Sequence, residues 1–160
     1  MQLCFVATLG LLFGSFLNVV IYRIPFNLSI VYPRSQCKVC GKQIVWFDLL
    51  PVLSWIILRG KCRYCRSFIG LRYPLIEILT SFLFVIGFIK LSIPFDFVNL
   101  ISSFIFICFL ICISFIDIDH LIIPDKILIP FWIIGLLIHS FSFDQGLFNI
   151  VLLGNLIEKI

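Results

Sequence analysis

The chain has 160 residues, of which 62% are hydrophobic and only 12% charged, with a mean hydropathy of +1.20. A soluble domain is about half apolar and about a quarter charged, so this composition excludes an ordinary water-soluble globule and implies a polytopic membrane protein. The net charge of +4 is concentrated: nine of the twelve basic residues lie between Arg23 and Arg72, where Asp48 is the only acid.

The first apolar stretch, Met1 to Tyr22, is long enough to cross a bilayer. It has no basic leader segment or small-residue cleavage site, so it reads as a membrane span rather than a signal peptide. Gly10 and Gly14 form a G-x-x-x-G pair, which lets another helix approach closely. Ser15 and Asn18 add polar groups toward its inner end, where Arg23 anchors it. Residues 23–73 form a basic loop between hydrophobic spans. By the positive-inside rule this loop is cytoplasmic, which places the N-terminus outside.

The loop carries C-K-V-C at 37–40 and C-R-Y-C at 62–65, separated by twenty-one residues. Two Cys-x-x-Cys pairs at this distance suit one tetrahedral Zn²⁺ with four thiolate ligands, Cys37, Cys40, Cys62 and Cys65. Gly41 fits the tight turn after the first pair, and a reducing cytosol favours metal over disulfides. Zinc would supply much of the folding energy of so small a module. A nucleic-acid-binding zinc ribbon is disfavoured, because both ends of the module are tethered to membrane spans and the positive-inside rule already explains the charge. Between the cysteine pairs, Ile44 to Leu58 is apolar but broken by Asp48 and Pro51. Two readings stay open for it: an interfacial element with Trp46 and Trp55 at headgroup level, or the zinc module's own small core.

Pro74 opens the second span, Leu75 to Ile89, with Glu77 in its first turn, both placements being favourable for a helix start. Lys90 to Asp96 makes an outer turn, and Val98 to Ile116 returns inward as the third span. Then come Asp117, Asp119, His120 and Asp125; Pro124–Asp125 reads as the start of the fourth span, Ile127 to Ile138. A fifth span covers Leu147 to Ile157. No internal repeat is visible. The fold expected is therefore an all-α polytopic membrane protein of about five transmembrane helices. It divides into a first helix (1–22), a cytoplasmic tetracysteine zinc module (23–73) and a helical membrane region (74–160).

Cys4, Cys108 and Cys112 lie in apolar spans, where cysteine packs as a small hydrophobe. Asp117 is either a functional acid at the membrane boundary or a solvated helix end. Asp119, two residues on, cannot share its helix face. His120 and the outer-end His139 read as interfacial histidines, and Asp144 as a solvated helix end.

Four blocks occur in order: G-S-F-L-N-V-V-I-Y-R-I-P (14–25), the tetracysteine loop, L-R-Y-P-L-I-E (71–77) and F-I-D-x-x-x-x-x-I-P-D (115–125). Together they resemble the bacterial type IV prepilin leader peptidases, also called prepilin peptidase/N-methyltransferases, and the resemblance covers essentially the whole chain. It implies a multi-pass inner-membrane aspartic endopeptidase that removes the leader of prepilins and pseudopilins on the cytoplasmic side. Many members then methylate the new N-terminus with S-adenosylmethionine. In that pattern Asp117 is the first catalytic aspartate, the four cysteines match, and Glu77 falls in the block linked to methyl transfer. Such proteolysis uses two carboxylates sharing a proton.

The family's second aspartate lies in a G-x-G-D motif, and none occurs here: the glycines after Asp117 are Gly135, Gly146 and Gly154, the last followed by Asn155. The expectation is half a dyad, either in a truncated or decayed product or in one that a second polypeptide completes. The alternative function is a catalytically inactive membrane zinc scaffold that binds prepilins or the assembly proteins of pili and type II secretion. Membrane lipid is the surrounding partner, nucleic acid is not expected, and an oligomer is left open.

Overall fold

The computed structural model describes residues 1–91, 97–122 and 124–137. Helix α1 spans Gln2–Arg23, and a 3₁₀ turn (Trp46–Leu49) and the short α2 (Leu53–Ile57) lie within the loop. Helices α3 (Arg72–Leu91) and α4 (Phe97–His120) follow, and residues 125–137 form α5. Among the described residues α1, α3 and α4 are long and apolar enough to cross a membrane. Four of the five expected spans thus appear as helices, three of full crossing length. The fifth, with His139 and Asp144, lies outside the described residues.

The G-x-x-x-G pair does what its spacing predicts. Gly10 and Gly14 face α3 so closely that an added Cβ would lie 2.5 Å from Ser81 Cα and 2.6 Å from Glu77 Cα respectively. Backbones at that distance bring polar side chains into reach of the opposite helix. The Ser81 hydroxyl donates to the Ala7 carbonyl (2.8 Å), and the Asn18 amide donates to Tyr73 O (3.1 Å) and to its own Gly14 O (3.2 Å).

Helix α4 completes the bundle. Leu17, Val20, Ile21, Ile76, Ile111, Cys112 and Ile116 form one buried cluster, with Cys108 packed beside it. The two α4 cysteines are therefore packing residues, as their apolar setting implies. Further along, Phe84 stacks on Phe104 with ring centroids 4.2 Å apart.

Two helix boundaries shift from the sequence reading. Helix α3 begins at Arg72, ahead of Pro74, because the first helical turn needs no donor from proline's nitrogen. Glu77 consequently sits in the second turn, not the first. Helix α4 runs past Ile116 to His120, since no breaker intervenes before Pro124. It ends with Leu121 at φ +53°, whose N–H donates to Asp117 O at 2.8 Å, the geometry of a left-handed cap. Asp117, Asp119 and His120 are therefore helical. The Pro124 start is as expected: its carbonyl accepts from the N–H of Ile127 at 3.0 Å.

Candidate functional site

The cysteine loop contains a repeat that its residues conceal. In 35–44, Cys37 N–H donates to Lys42 O, Gly41 N–H to Cys37 O and Ile44 N–H to Ser35 O, at 2.8–2.9 Å. In 60–69, Cys62 N–H donates to Ser67 O, Arg66 N–H to Cys62 O and Ile69 N–H to Gly60 O, at 2.7–3.0 Å. Each bond of the first knuckle recurs twenty-five positions later, and each knuckle closes on an isolated antiparallel bridge, Gln36 with Gln43 and Lys61 with Phe68. The reading that found no internal repeat is corrected: S-Q-C-K-V-C-G-K-Q-I and G-K-C-R-Y-C-R-S-F-I share little beyond their cysteines, a basic residue between them and a final isoleucine. Both turns need positive φ, supplied by Gly41 (+68°) and by Arg66 (+58°).

The knuckles bring all four thiols together, every sulfur lying within 4.8 Å of the others. Tetrahedral zinc with Zn–S near 2.3 Å requires sulfurs about 3.8 Å apart, and Cys37 and Cys65 are at 3.7 Å. The sulfurs differ electrostatically. The N–H groups of Cys40 and Val39 lower the Cys37 thiol to about 6. At Cys40 the Lys42 N–H also favours the thiolate, but desolvation and the neighbouring Cys37 and Cys65 outweigh it and push the thiol up to about 11. Four crowded thiols therefore cannot all ionise without a cation among them. The residues fit the metal that their spacing implies.

Around this knot, Arg63 makes a bidentate pair with Asp48 (2.7 and 2.5 Å), tying the second knuckle to the 3₁₀ turn. Trp55 lies against Gly60, where a Cβ would meet its ring at 2.7 Å, and its indole donates to Ile69 O at 3.0 Å. Trp55 thus belongs to the module's core, whereas Trp46 is 77% exposed. Of the two readings of this segment, the contacts of Trp55 support the module's own core; the exposure of Trp46 leaves the interfacial reading open.

Glu77 is buried in the α1–α3 contact, and its carboxylate accepts the N–H of Val52 at 2.7 Å. Val52 stands at φ +59°, an uncommon conformation for a β-branched residue. Glu77 therefore joins α3 to the start of α2.

Asp117 is exposed in the last turn of α4. That turn lies at the loop end of the bundle: Arg72 pairs with Asp119 and donates to Phe115 O (3.4 Å), and His120 meets Phe26 edge-on at 5.3 Å. Lys126 beyond it donates to Asn27 Oδ1 at 2.7 Å. Asp119 is engaged by arginine, off the face of Asp117, and His120 contacts an aromatic ring. Among the described residues only the cysteines converge as a metal-competent group of three or more.

Sequence reasoning missed Arg23 as more than an anchor. It is buried, and its guanidinium donates to the carbonyls of Ser29 (2.7 Å), Ile30 (3.2 Å) and Pro33 (2.7 Å), folding the chain back after α1. The available signal was a long, planar, five-donor side chain placed just before a proline-bearing turn.

Residues 8–91 match the bacterial peptidase A24 N-terminal domain, and residues 104–157 match the type IV leader peptidase family. The chain is similar to a protein of Myxococcus xanthus (strain DK1622) called prepilin leader peptidase/N-methyltransferase, at 39% identity over 150 residues, covering 94% of this chain and 44% of the relative. Proteins of the same description from Neisseria gonorrhoeae and Bacillus subtilis (strain 168) are 37% and 38% identical; these matches cover 88% and 76% of this chain and 55% and 48% of the relatives. The chain spans about half the length of the curated relatives it matches. No solved structure matches it.

Proposed function

Because the chain belongs to the type IV leader peptidase family, we propose that it supplies one catalytic carboxylate, Asp117, to an inner-membrane aspartic endopeptidase that removes the leader of type IV prepilins and pseudopilins. The observation that carries this reading is the position of Asp117. It is a solvent-accessible acid on the last turn of a membrane-length helix, at the end of the bundle that also carries the basic loop. The positive-inside rule puts that loop in the cytoplasm and the N-terminus outside, so Asp117 faces water where a basic leader would arrive. An ionised aspartate there acts as base toward water while a second, protonated carboxylate acts as acid toward the leaving amine. Asp119 is a poor second acid because it is engaged by Arg72 and, two residues on, does not share the helix face of Asp117. The proposal for these 160 residues is thus one half of the dyad.

Cys37, Cys40, Cys62 and Cys65 would hold a structural Zn²⁺, closed by four thiolates and so without an open position for substrate. S-adenosylmethionine, when bound, would supply the methyl group for the new N-terminus. Glu77, already bound to Val52 N–H, would serve methyl transfer by setting the position of the loop.

The second reading is a membrane zinc scaffold that binds prepilin or assembly proteins without cutting. The commitment of Asp119 to Arg72 favours it. Membranes carrying the chain, alone and together with a separately expressed segment bearing G-x-G-D, are incubated with a prepilin, and leader removal is followed by mass. Cleavage that disappears with Asp117→Ala supports the peptidase. Retention of prepilin with no cleavage in either arrangement supports the scaffold.

A further inference from the structure

The segment between the two knuckles is apolar where an exposed loop should be polar. Trp46, Leu49, Leu53, Ile56 and Ile57 are all solvent-exposed, Trp46 and Ile57 by more than 70%. With Phe47 and Leu50 these make seven exposed large apolar side chains within twelve residues, more than a surface loop leaves to water by chance. The segment's one acid, Asp48, is paired with Arg63 and nearly buried by it.

The height of this segment is set by the Glu77 contact. Glu77 lies five residues inside α3, about 7.5 Å from its first residue along the helix axis. Val52, at the start of α2, reaches in to donate its N–H to that carboxylate. Helix α2 therefore lies beside the end of a membrane-length helix rather than standing off it. The loop is also tethered on both sides, by α1 and by α3, so it cannot leave the bilayer surface. The residues around the segment are basic, among them Arg59, Lys61 and Arg66, all exposed.

We propose that residues 46–57 form an interfacial element seated in the headgroup and upper acyl region of the leaflet on the loop side, and that its partner is an anionic lipid surface. Trp46 and the α2 side chains enter the bilayer boundary, while the flanking arginines and lysines meet anionic headgroups; aromatic rings and cationic side chains favour these two depths. The Glu77–Val52 contact fixes how deep the element sits, and the element holds the cysteine knot at a set distance from the membrane. The inference rests on α1 and α3 spanning the bilayer and stands apart from any peptidase activity.

The test uses the full chain in nanodiscs of mixed phosphatidylglycerol and phosphatidylcholine, with bromine placed at shallow or deep acyl positions. Trp46 emission is obtained as the difference between the native chain and Trp46→Phe, and a second variant, Ile57→Trp, reports from α2 with Trp55 left in place. Severalfold stronger quenching of both reporters by shallow bromines than by iodide in the buffer is expected, and Glu77→Ala, which removes the acceptor for Val52 N–H, should shift the reporters toward water. Ready quenching of both by iodide, with bromines ineffective, would overturn the proposal. Bromine-insensitive reporters that become shielded from iodide only when a prepilin is added would also overturn it, because the occupant would then be protein.

Discussion

In the cysteine loop, each knuckle is closed by backbone bonds within a ten-residue pattern; at the end of α4, beyond its own cap at Leu121, the side-chain ties come from far away. The knuckle bonds span four to nine positions. The ties around Asp117 join residues forty-seven positions apart (Arg72 with Asp119) and ninety-nine apart (Asn27 with Lys126). The first region is ordered by local turns that bring four cysteines together as a metal-competent cluster, and the second by the packing of whole helices. Perturbing one should leave the other largely in place.

Removing the metal is the largest test of that separation. Structural zinc contributes roughly 10 kcal/mol or more to small modules, far beyond what the knuckle bonds supply alone. Cys62→Ser is expected to reduce zinc from about one per chain to none and to abolish hydrogen-exchange protection over 35–69, while α1, α3 and α4 keep theirs. An ordered, metal-free loop would show that the turns suffice.

The reverse perturbation is Gly14→Leu. Its Cβ would lie 2.6 Å from the Glu77 backbone, so α1 and α3 must separate, at a cost of about 1–3 kcal/mol or more. Unfolding in mixed micelles should show that loss, while zinc content stays near one. Loss of zinc as well would mean that the two regions are coupled through Glu77 and Val52.

Arg72→Gln gives a smaller effect. Both partners of the Arg72–Asp119 pair are partly exposed, and such pairs contribute about 0–1 kcal/mol. Stability should therefore hardly change. On the peptidase reading proposed above, leader removal in the assay with the G-x-G-D segment should fall more than stability does, because the helix turn that carries Asp117 loses its cross-tie to α3.

The same contrast explains what could be read in the sequence. Apolar length gave the three membrane-length helices, G-x-x-x-G gave the α1–α3 contact, and the cysteine spacing gave the four-cysteine cluster, because each is a local pattern with one dominant physical meaning. The second-turn position of Glu77 and its bond to Val52 could not be read, since a carboxylate near a helix start has a sufficient local explanation. The Arg72–Asp119 pair depends on how α3 and α4 align, which no local pattern encodes. The knuckle repeat escaped for a different reason: it is a repeat of backbone hydrogen bonds, and those constrain residue type only at the cysteines and at the residue with positive φ.

That last position offers the finest comparison, between the knuckles themselves. Gly41 and Arg66 occupy equivalent turns at φ +68° and +58°. Glycine adopts this region freely, whereas other residues pay about 1 kcal/mol or somewhat more. Nothing lies within 4 Å of a Cβ added at Gly41, so Gly41→Arg should cost only the conformational term. Arg66→Gly should recover a similar amount, since the Arg66 side chain is exposed. Each change is expected to alter zinc affinity about fivefold, in opposite directions, as measured by competition with a chelator. The double exchange, Gly41→Arg with Arg66→Gly, should restore the native affinity if the knuckles are equivalent. A net loss would mean that the two knuckles are not equivalent and that the turn at Gly41 tolerates a side chain less well than the turn at Arg66.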